Sequence, residues 1–387
     1  MNHRVIAPAF AWVVALGCSD APTASSPEAD GGGDVIVSDS GVAVDARPLE
    51  GDAAVLPSDF AARCAAPGVV RCVGFDDPNL LNGTWGDDWG TLPGSSTKPT
   101  LDGAVRVGAQ GSSLHFRVNS SSANAAGSWF TNFSSDRKTQ FDAGDTFFVQ
   151  WRQRFDATYA AMNLASFGNG GWKQAIVGAG DKPGCNSTNT VNVDNGGLCT
   201  SSCTALEVVV QNVNHRGFPV MYNSCTGSGS TQNGRTPAGT PAYYPFEEPF
   251  GSFDFKLQNA MPAPYCLYSQ GKVNGGYFPP SGNCFPYVAD EWMTFKVKIV
   301  VGARTNDYFK GSHVDLWVAR QGKASVHVFD WAWDLAAGPP GQGLKFGKIW
   351  LLPYNTNNGG NNSATVPEAN TWYDELIVSR QDISDPL

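Results

Sequence analysis

Thr146-Phe147-Phe148-Val149-Gln150-Trp151-Arg152-Gln153-Arg154-Phe155 decides the fold. As a β-strand, its period of two puts Phe147, Val149, Trp151 and Phe155 on one face, with Gln150, Arg152 and Arg154 in a row on the other. Such a strand packs inward on one side and presents polar groups on the other. A guanidinium fork matches carboxylate or sulfate bidentately, so a row holding two of them points to an anionic ligand. The alternative reading is that both arginines pair with acidic neighbours or sit solvated on an outer sheet, where ion pairs carry little information.

The same two-faced pattern recurs. In 292–301, Met293, Phe295, Val297, Ile299 and Val301 alternate with Trp292, Thr294, Lys296 and Lys298. In 313–320, Val314, Leu316 and Val318 alternate with His313, Asp315 and Trp317. Further strands are expected at 69–75, 103–108, 112–118, 145–156, 172–178, 205–212, 325–331, 346–353 and 371–379, punctuated by glycine and proline. Helical periodicity is scarce. The expectation is an all-β sandwich, one domain over 61–387, with long loops at 181–204 and 226–290.

Glu291-Trp292-Met293-Thr294-Phe295-Lys296-Val297, His313 to Val318, and Thr371-Trp372-Tyr373-Asp374-Glu375-Leu376-Ile377-Val378 together resemble the concanavalin A-like lectin/glucanase jelly roll. Val73-Gly74-Phe75-Asp76-Asp77 resembles the first strand of that family. Within it, the strand layout and the arginine row are most similar to the heparin-lyase-I-like polysaccharide lyases. The resemblance implies a jelly-roll β-sandwich and an acidic polysaccharide as partner.

The chain begins Met1-Asn2-His3-Arg4, runs apolar from Val5 to Leu16 and reaches Gly17-Cys18. This describes a secretory signal over 1–17, too short to span a bilayer. Cys18 after Ala15-Leu16-Gly17 resembles a bacterial lipobox and is the expected lipidation site; an ordinary signal peptide with a nearby cut is the alternative. Residues 18–60 carry nine acids against Arg47 alone and almost no aromatics, the composition of a disordered acidic tether. Most of the chain's net charge of -9 sits there. Residues 61–387 are nearly neutral and lack the basic patch of a nucleic-acid binder. The expected setting is export, with an acyl anchor in a lipid bilayer and a monomeric domain.

Eight further cysteines suit an exported chain with disulfides, and near neighbours in sequence suggest Cys64–Cys72, Cys185–Cys199, Cys203–Cys225 and Cys266–Cys284. Zinc is disfavoured, because no CxxC pair occurs and no histidine stands at ligand spacing.

Retaining glycosidases of the laminarinase type carry Glu-x-Asp-x-x-Glu on one strand, which sets two carboxyls about 5–5.5 Å apart. No such motif occurs in this sequence. Lyase chemistry asks instead for donors that neutralise a uronate carboxylate and for a Tyr or His that moves the proton. Candidates for catalysis are Arg152, Arg154, Gln211, and His215 or Tyr222 as the base. Candidates for substrate binding are Gln150, Trp172, Gln174, Asn212, Arg216, Trp350 and, as an outside choice for the base, Tyr354. The Gln-Ile-His signature of alginate lyases is absent; Gln174-Ala175-Ile176 has only its glutamine. Tryptophan faces suit sugar rings, with core packing as the competing use. No cofactor is required, although Asp76 and Asp374 could share a structural calcium, strand-end capping being the alternative. The expected function is a polysaccharide lyase acting by β-elimination. A lectin-like binding module is the first alternative and a glycoside hydrolase the next.

Overall fold

The computed structural model describes residues 59–84, 87–92, 97–118, 126–161, 171–181, 206–212, 217–223, 272–273, 276–277, 285–305, 308–336, 344–353, 355–356 and 368–386. Of the expected tether, Asp59 and Phe60 cap and begin a short helix; its remainder up to residue 58, the expected signal and Cys18 lie outside the described residues. So do His215, Arg216, Tyr354, Cys185, Cys199, Cys203, Cys225, Cys266 and Cys284.

In chain order the strands are β1 Val69–Val73, β2 Trp89–Leu92, β3 Thr100–Asp102, β4 Ser113–Val118, β5 Ser128–Asn132 and β6 Thr146–Phe155. They continue with β7 Gly171–Ala179, β8 Glu207–Asn212, β9 Val220–Asn223, β10 Lys272–Val273, β11 Gly276–Tyr277 and β12 Trp292–Val300. The last are β13 Ala303–Thr305, β14 Tyr308–Ala319, β15 Val326–Ala336, β16 Phe346–Leu351, β17 Asn355–Thr356 and β18 Ala369–Ser379. Two short helices, α1 Phe60–Cys64 and α2 Ala157–Ala161, complete the frame with a 3-10 turn at Pro78–Leu81.

A nine-stranded sheet runs β13-β14-β12-β6-β18-β4-β3, with β1 on β18 and β15 on β14. A seven-stranded sheet runs β2-β5-β16-β7-β8-β9, with β17 on β7, and β10 and β11 form a separate hairpin. The two large sheets share one core, so the fold is the expected all-β jelly-roll sandwich. β6 stands mid-sheet between β12 and β18. Phe147, Val149, Trp151 and Phe155 all point into the core, as their alternation predicts. They meet Trp172, Phe346 and Phe141 among others; the Phe141 and Phe147 rings stack at 4.3 Å. Each such ring contributes about 1.5–3 kcal/mol when fully buried.

Gln153 occupies an inward position of β6 and is fully buried. It is satisfied by a polar seam between the sheets. Trp151 Nε1 (3.3 Å) and Gln174 Nε2 (3.0 Å) donate to Gln153 Oε1, and Gln153 Nε2 donates to Thr371 Oγ1 (2.9 Å). Tyr287 donates its hydroxyl to Gln174 Oε1 (2.5 Å) and Tyr373 donates to the Gln174 carbonyl (2.8 Å). Burial holds both phenols well above the ordinary tyrosine range, so they remain neutral donors.

One expected strand is corrected and one strand is unexpected. Residues 103–108 are not a strand: the Asp102 carboxylate accepts the Ala104 (2.7 Å) and Val105 (3.2 Å) amides, turning the chain just after β3. β5 gives no alternating pattern because all five of its residues are buried, both faces being covered. Of the expected disulfides, Cys64–Cys72 is present, with a Cα–Cα distance of 5.8 Å, and ties α1 to β1. The other three pairings fall outside the described residues.

One end of the sandwich is clamped by Asp142. Its carboxylate accepts Arg304 Nη2 from β13 at 2.8 Å and lies 2.9 Å from Lys345 Nζ, beside β16. Burial alone would raise this carboxyl's pKa, but the two cations and the Ala143 amide outweigh it and bring it down to about 2. A carboxyl lowered in the folded state adds stability above its unfolded pKa of 3.8, and that stability is lost as pH falls towards 2. We therefore expect Asp142→Asn to lower the urea midpoint at neutral pH, by less than about 1 kcal/mol because the pair is partly solvated. The difference from the parent should shrink below pH 4 and vanish near pH 2; a constant offset would remove the clamp from acid denaturation.

Candidate functional site

The arginine row stands on the outward face of the nine-stranded sheet, as its alternation implies, but its anion is internal. Glu375 Oε2 pairs with Arg63 Nη2 from α1 and lies 3.7 Å from Arg152 Nη1. Arg63 also donates to Asp59 Oδ1 (2.9 Å) and Gln150 Oε1 (2.8 Å), while Gln150 Nε2 donates to the Ser384 carbonyl (3.2 Å). Arg63, Gln150, Arg152 and Glu375 are all buried. Glu375 sits at a β-bulge in β18 with φ of 49°, a left-handed conformation unusual for a non-glycine residue. Burial lowers the Arg152 pKa, and Glu375 opposes that shift. Arg154, half-buried, reaches Asp290 at 3.4 Å. The pairing with acidic neighbours is thus the reading realised, and Arg152, Arg154 and Gln150 are not brought together with Gln211, which belongs to the other sheet.

A second bulge changes β7. The register slips between Lys173 and Ala175, so Trp172 and Gln174 point inward although Ala175, Val177 and Ala179 do as well. A one-residue slip sends the preceding side chains to the opposite face. Trp172 therefore packs in the core, its ring 4.5 Å from Tyr287 and 4.7 Å from Tyr159, and Gln174 joins the polar seam. Neither is a surface ligand group. Asn212, opposite Trp172, accepts the Gly217 amide at 3.1 Å and closes the end of β8.

The slip also aligns Lys173 with Gln211 on β8, which in turn faces Val220 on β9. One row along, Phe130, Trp350, Ile176, Val209 and Tyr222 stand in register across five strands. The next row holds Asn132, Lys348, Gly178 and Glu207. Phe130, Ile176, Val209 and Trp350 are buried but belong to no part of the central core, which marks this as the outward face of the seven-stranded sheet. Lys173 and Gln211 are buried there too. Trp350, the sequence candidate, lies in this face, and its indole Nε1 has no hydrogen-bond partner.

Lys348 is the charge centre of the face. Its ammonium pairs with Asp181 and lies 5.0 Å and 4.9 Å from the Phe130 and Trp350 ring centroids. Asp181 also accepts Asn132 Nδ2 at 3.0 Å, and its own amide donates to Asn132 Oδ1 at 3.1 Å. Burial pushes the Lys348 pKa down to about 8 against the pull of Asp181. Sequence reading missed Lys173 and Lys348; one needed the bulge and the other its cross-strand partners to be recognised.

Asp374 lies within electrostatic reach of Asp76. Burial, then the Glu375 and Asp76 charges, raise the Asp374 pKa, opposed by backbone amides. Asp374 Oδ2 accepts the Val107 amide (3.1 Å), its Oδ1 accepts the Glu375 amide (2.8 Å), and Asp76 Oδ1 accepts the Ser112 amide (2.8 Å). These amide contacts cap backbone ends, the alternative use of Asp76 and Asp374.

No family model matches the chain, and no curated protein matches it. Among solved structures it is similar to the marine PL-14 alginate lyase from Aplysia kurodai, with 10% identity, 80% of this chain and 98% of that chain covered, and a TM-score of 0.39. It is likewise similar to an endo-β-1,4-glucuronan lyase from the fungus Trichoderma reesei (11%; 82% and 98%; 0.40). A GH43 protein from Bacillus licheniformis is a further match (11%; 80% and 39%; 0.33). Similarity at this level assigns no residue a role.

The Glu375 cluster makes a sharp prediction. Glu375→Gln removes the carboxylate that Arg63 and Arg152 share, leaving Arg63 with Asp59 alone and Arg152 without its ion pair, and should cost about 3–5 kcal/mol in chemical denaturation. Arg154→Ala, at a partly solvated pair, should cost less than about 1 kcal/mol. Equal losses in the two variants would mean that the cluster is not the anchor of α1.

Proposed function

We propose that this protein cleaves an acidic, uronate-containing polysaccharide by β-elimination on the outward face of the seven-stranded sheet. We propose further that it is exported and held at a cell surface through an acyl chain on Cys18. One observation carries the lyase reading: Lys173 and Gln211 stand in direct register on that face, one row from the indole of Trp350, whose Nε1 lacks a partner. A uronate carboxylate has to be neutralised before the carbon beside it can lose its proton. An ammonium and a side-chain amide are donors of the required kind. Tyr222, whose backbone stands opposite Val209 on β9, is the proton-transfer candidate. Trp350 and Phe130 are fully buried beneath this face, where their rings hold the Lys348 ammonium and not a sugar. The arginine row has no part in this reading, because Glu375 engages Arg152. Hydrolysis is less favoured, since it needs two carboxyl groups free to act and Asp181 is committed to Lys348.

The test is turnover of a panel of uronate polymers, read by the absorbance of the unsaturated product. Tyr222→Phe should reduce kcat/KM by about 100-fold or more, and Lys173→Ala should do the same. Arg154→Ala should leave turnover unchanged. Binding without product on any polymer would replace the lyase by a lectin-like module. Loss of activity in Arg154→Ala, with full activity in Lys173→Ala, would move the site to the other sheet. For the anchor, Cys18→Ala should shift the full chain from the membrane fraction to the soluble one.

A further inference from the structure

On the outward face of the nine-stranded sheet, away from Lys173, β14 and β15 set Asp315 directly opposite Asp330. Like charges in directly opposed positions of an antiparallel pair repel and destabilise it unless a cation lies between them. His313, two residues before Asp315 on the same face, supplies an imidazole there. Its Nε2 is 2.6 Å from Asp330 Oδ1 and 3.6 Å from Asp315 Oδ1. A register slip between Leu316 and Trp317 brings His327 opposite Trp317, where the rings stack at 4.4 Å and His327 Nε2 reaches Asp315 Oδ1 at 2.8 Å. Asp315 is buried and its Oδ2 makes no hydrogen bond, although Lys298 Nζ lies 3.5 Å away. One ligand atom each from His313, Asp315 and Asp330 falls within 4.8 Å of the others.

We propose that His313, Asp315 and Asp330 bind a divalent transition-metal ion of the zinc class. His327 orients the Asp315 carboxylate from outside, and water completes the coordination. Three donors of one nitrogen and two oxygens suit zinc, with bonds of about 2.0–2.2 Å, around which the hydrogen-bonded His313–Asp330 pair opens from 2.6 Å to admit the ion. The imidazole donor selects against calcium and magnesium, which prefer all-oxygen cages. His327 plays the part that outer carboxylates play towards ligating histidines, with the roles exchanged. Lys298, a third exposed, is the competing cation and leaves towards solvent when the metal enters. Sequence spacing hides this site, because its ligands come from two strands and meet only through their pairing.

The experiment uses the whole protein, stripped with EDTA and titrated with Co(II) and then Zn(II). The expected result is one saturable equivalent of Co(II), with visible absorption that Zn(II) bleaches, and a thermal midpoint raised by a few degrees under excess Zn(II). Asp330→Asn and His313→Gln, both at partly exposed positions, should lose uptake while keeping the parent far-UV dichroism. Lys298→Met should tighten binding by removing the competing charge. No saturable uptake, or the same uptake in the His313→Gln/Asp330→Asn double variant, would overturn the proposal.

Discussion

A strand in the middle of a sandwich has two faces to satisfy, and β6 meets that demand with consequences for the whole molecule. Its inward positions carry three aromatics, Val149 and one amide, Gln153, and so set both the apolar core and the polar seam to the facing sheet. Its outward positions take up the described ends of the chain. Gln150 receives Arg63 and donates to Ser384, while Arg152 shares Glu375 with Arg63. A buried guanidinium without a carboxylate is too costly to persist, so the arginine row needs an anion. The fold supplies one from β18 by holding Glu375 in a strained left-handed conformation. What resembles a ligand clamp in one dimension is the fastening of α1 to the sheet.

Bulges decide which side chains reach which surface. The slip in β7 sends Trp172 and Gln174 inward and aligns Lys173 with Gln211; the bulge in β18 aims Glu375 at two arginines. Each inserts a single residue, yet each reverses the face of everything on one side of it. Function on such a scaffold is set at these points. The same principle operates between β14 and β15, where a slip places His327 beside Asp315.

Polar groups on the two outer faces are organised in different ways. On the seven-stranded sheet Lys348, Asp181 and Asn132 form a closed, mutually satisfied set under two aromatic rings, while Trp350 keeps an unpaired N–H one row away. On the nine-stranded sheet two opposed aspartates gather two histidines and a lysine at a partly exposed position. The first arrangement is neutral, buried and internally satisfied. The second concentrates negative charge and suits a small cation.

Much of the architecture was legible in the residues themselves. The alternation in 146–155, 292–301 and 313–320 determined strand type, the inward set and the sandwich, because a period of two leaves no other way to bury one face. The local pair Cys64 and Cys72 was legible for the same reason, since its partners lie close in sequence. β5 was not, because a strand buried on both faces carries no alternation. The candidate site was legible only in part. Gln211 and Trp350 stand on the proposed face, whereas Trp172 and Gln174 were turned inward by a bulge that no local pattern announces. Lys173 emerged from the same bulge. The sequence by itself determined which residues are apolar and with what period; only the tertiary structure decided where that period breaks and which strands lie side by side. Some cross-strand partners, such as Asp315 and Asp330, lie 15 residues apart and others, such as Arg152 and Asp374, 222 apart, and their meeting is set by sheet register rather than by spacing along the chain.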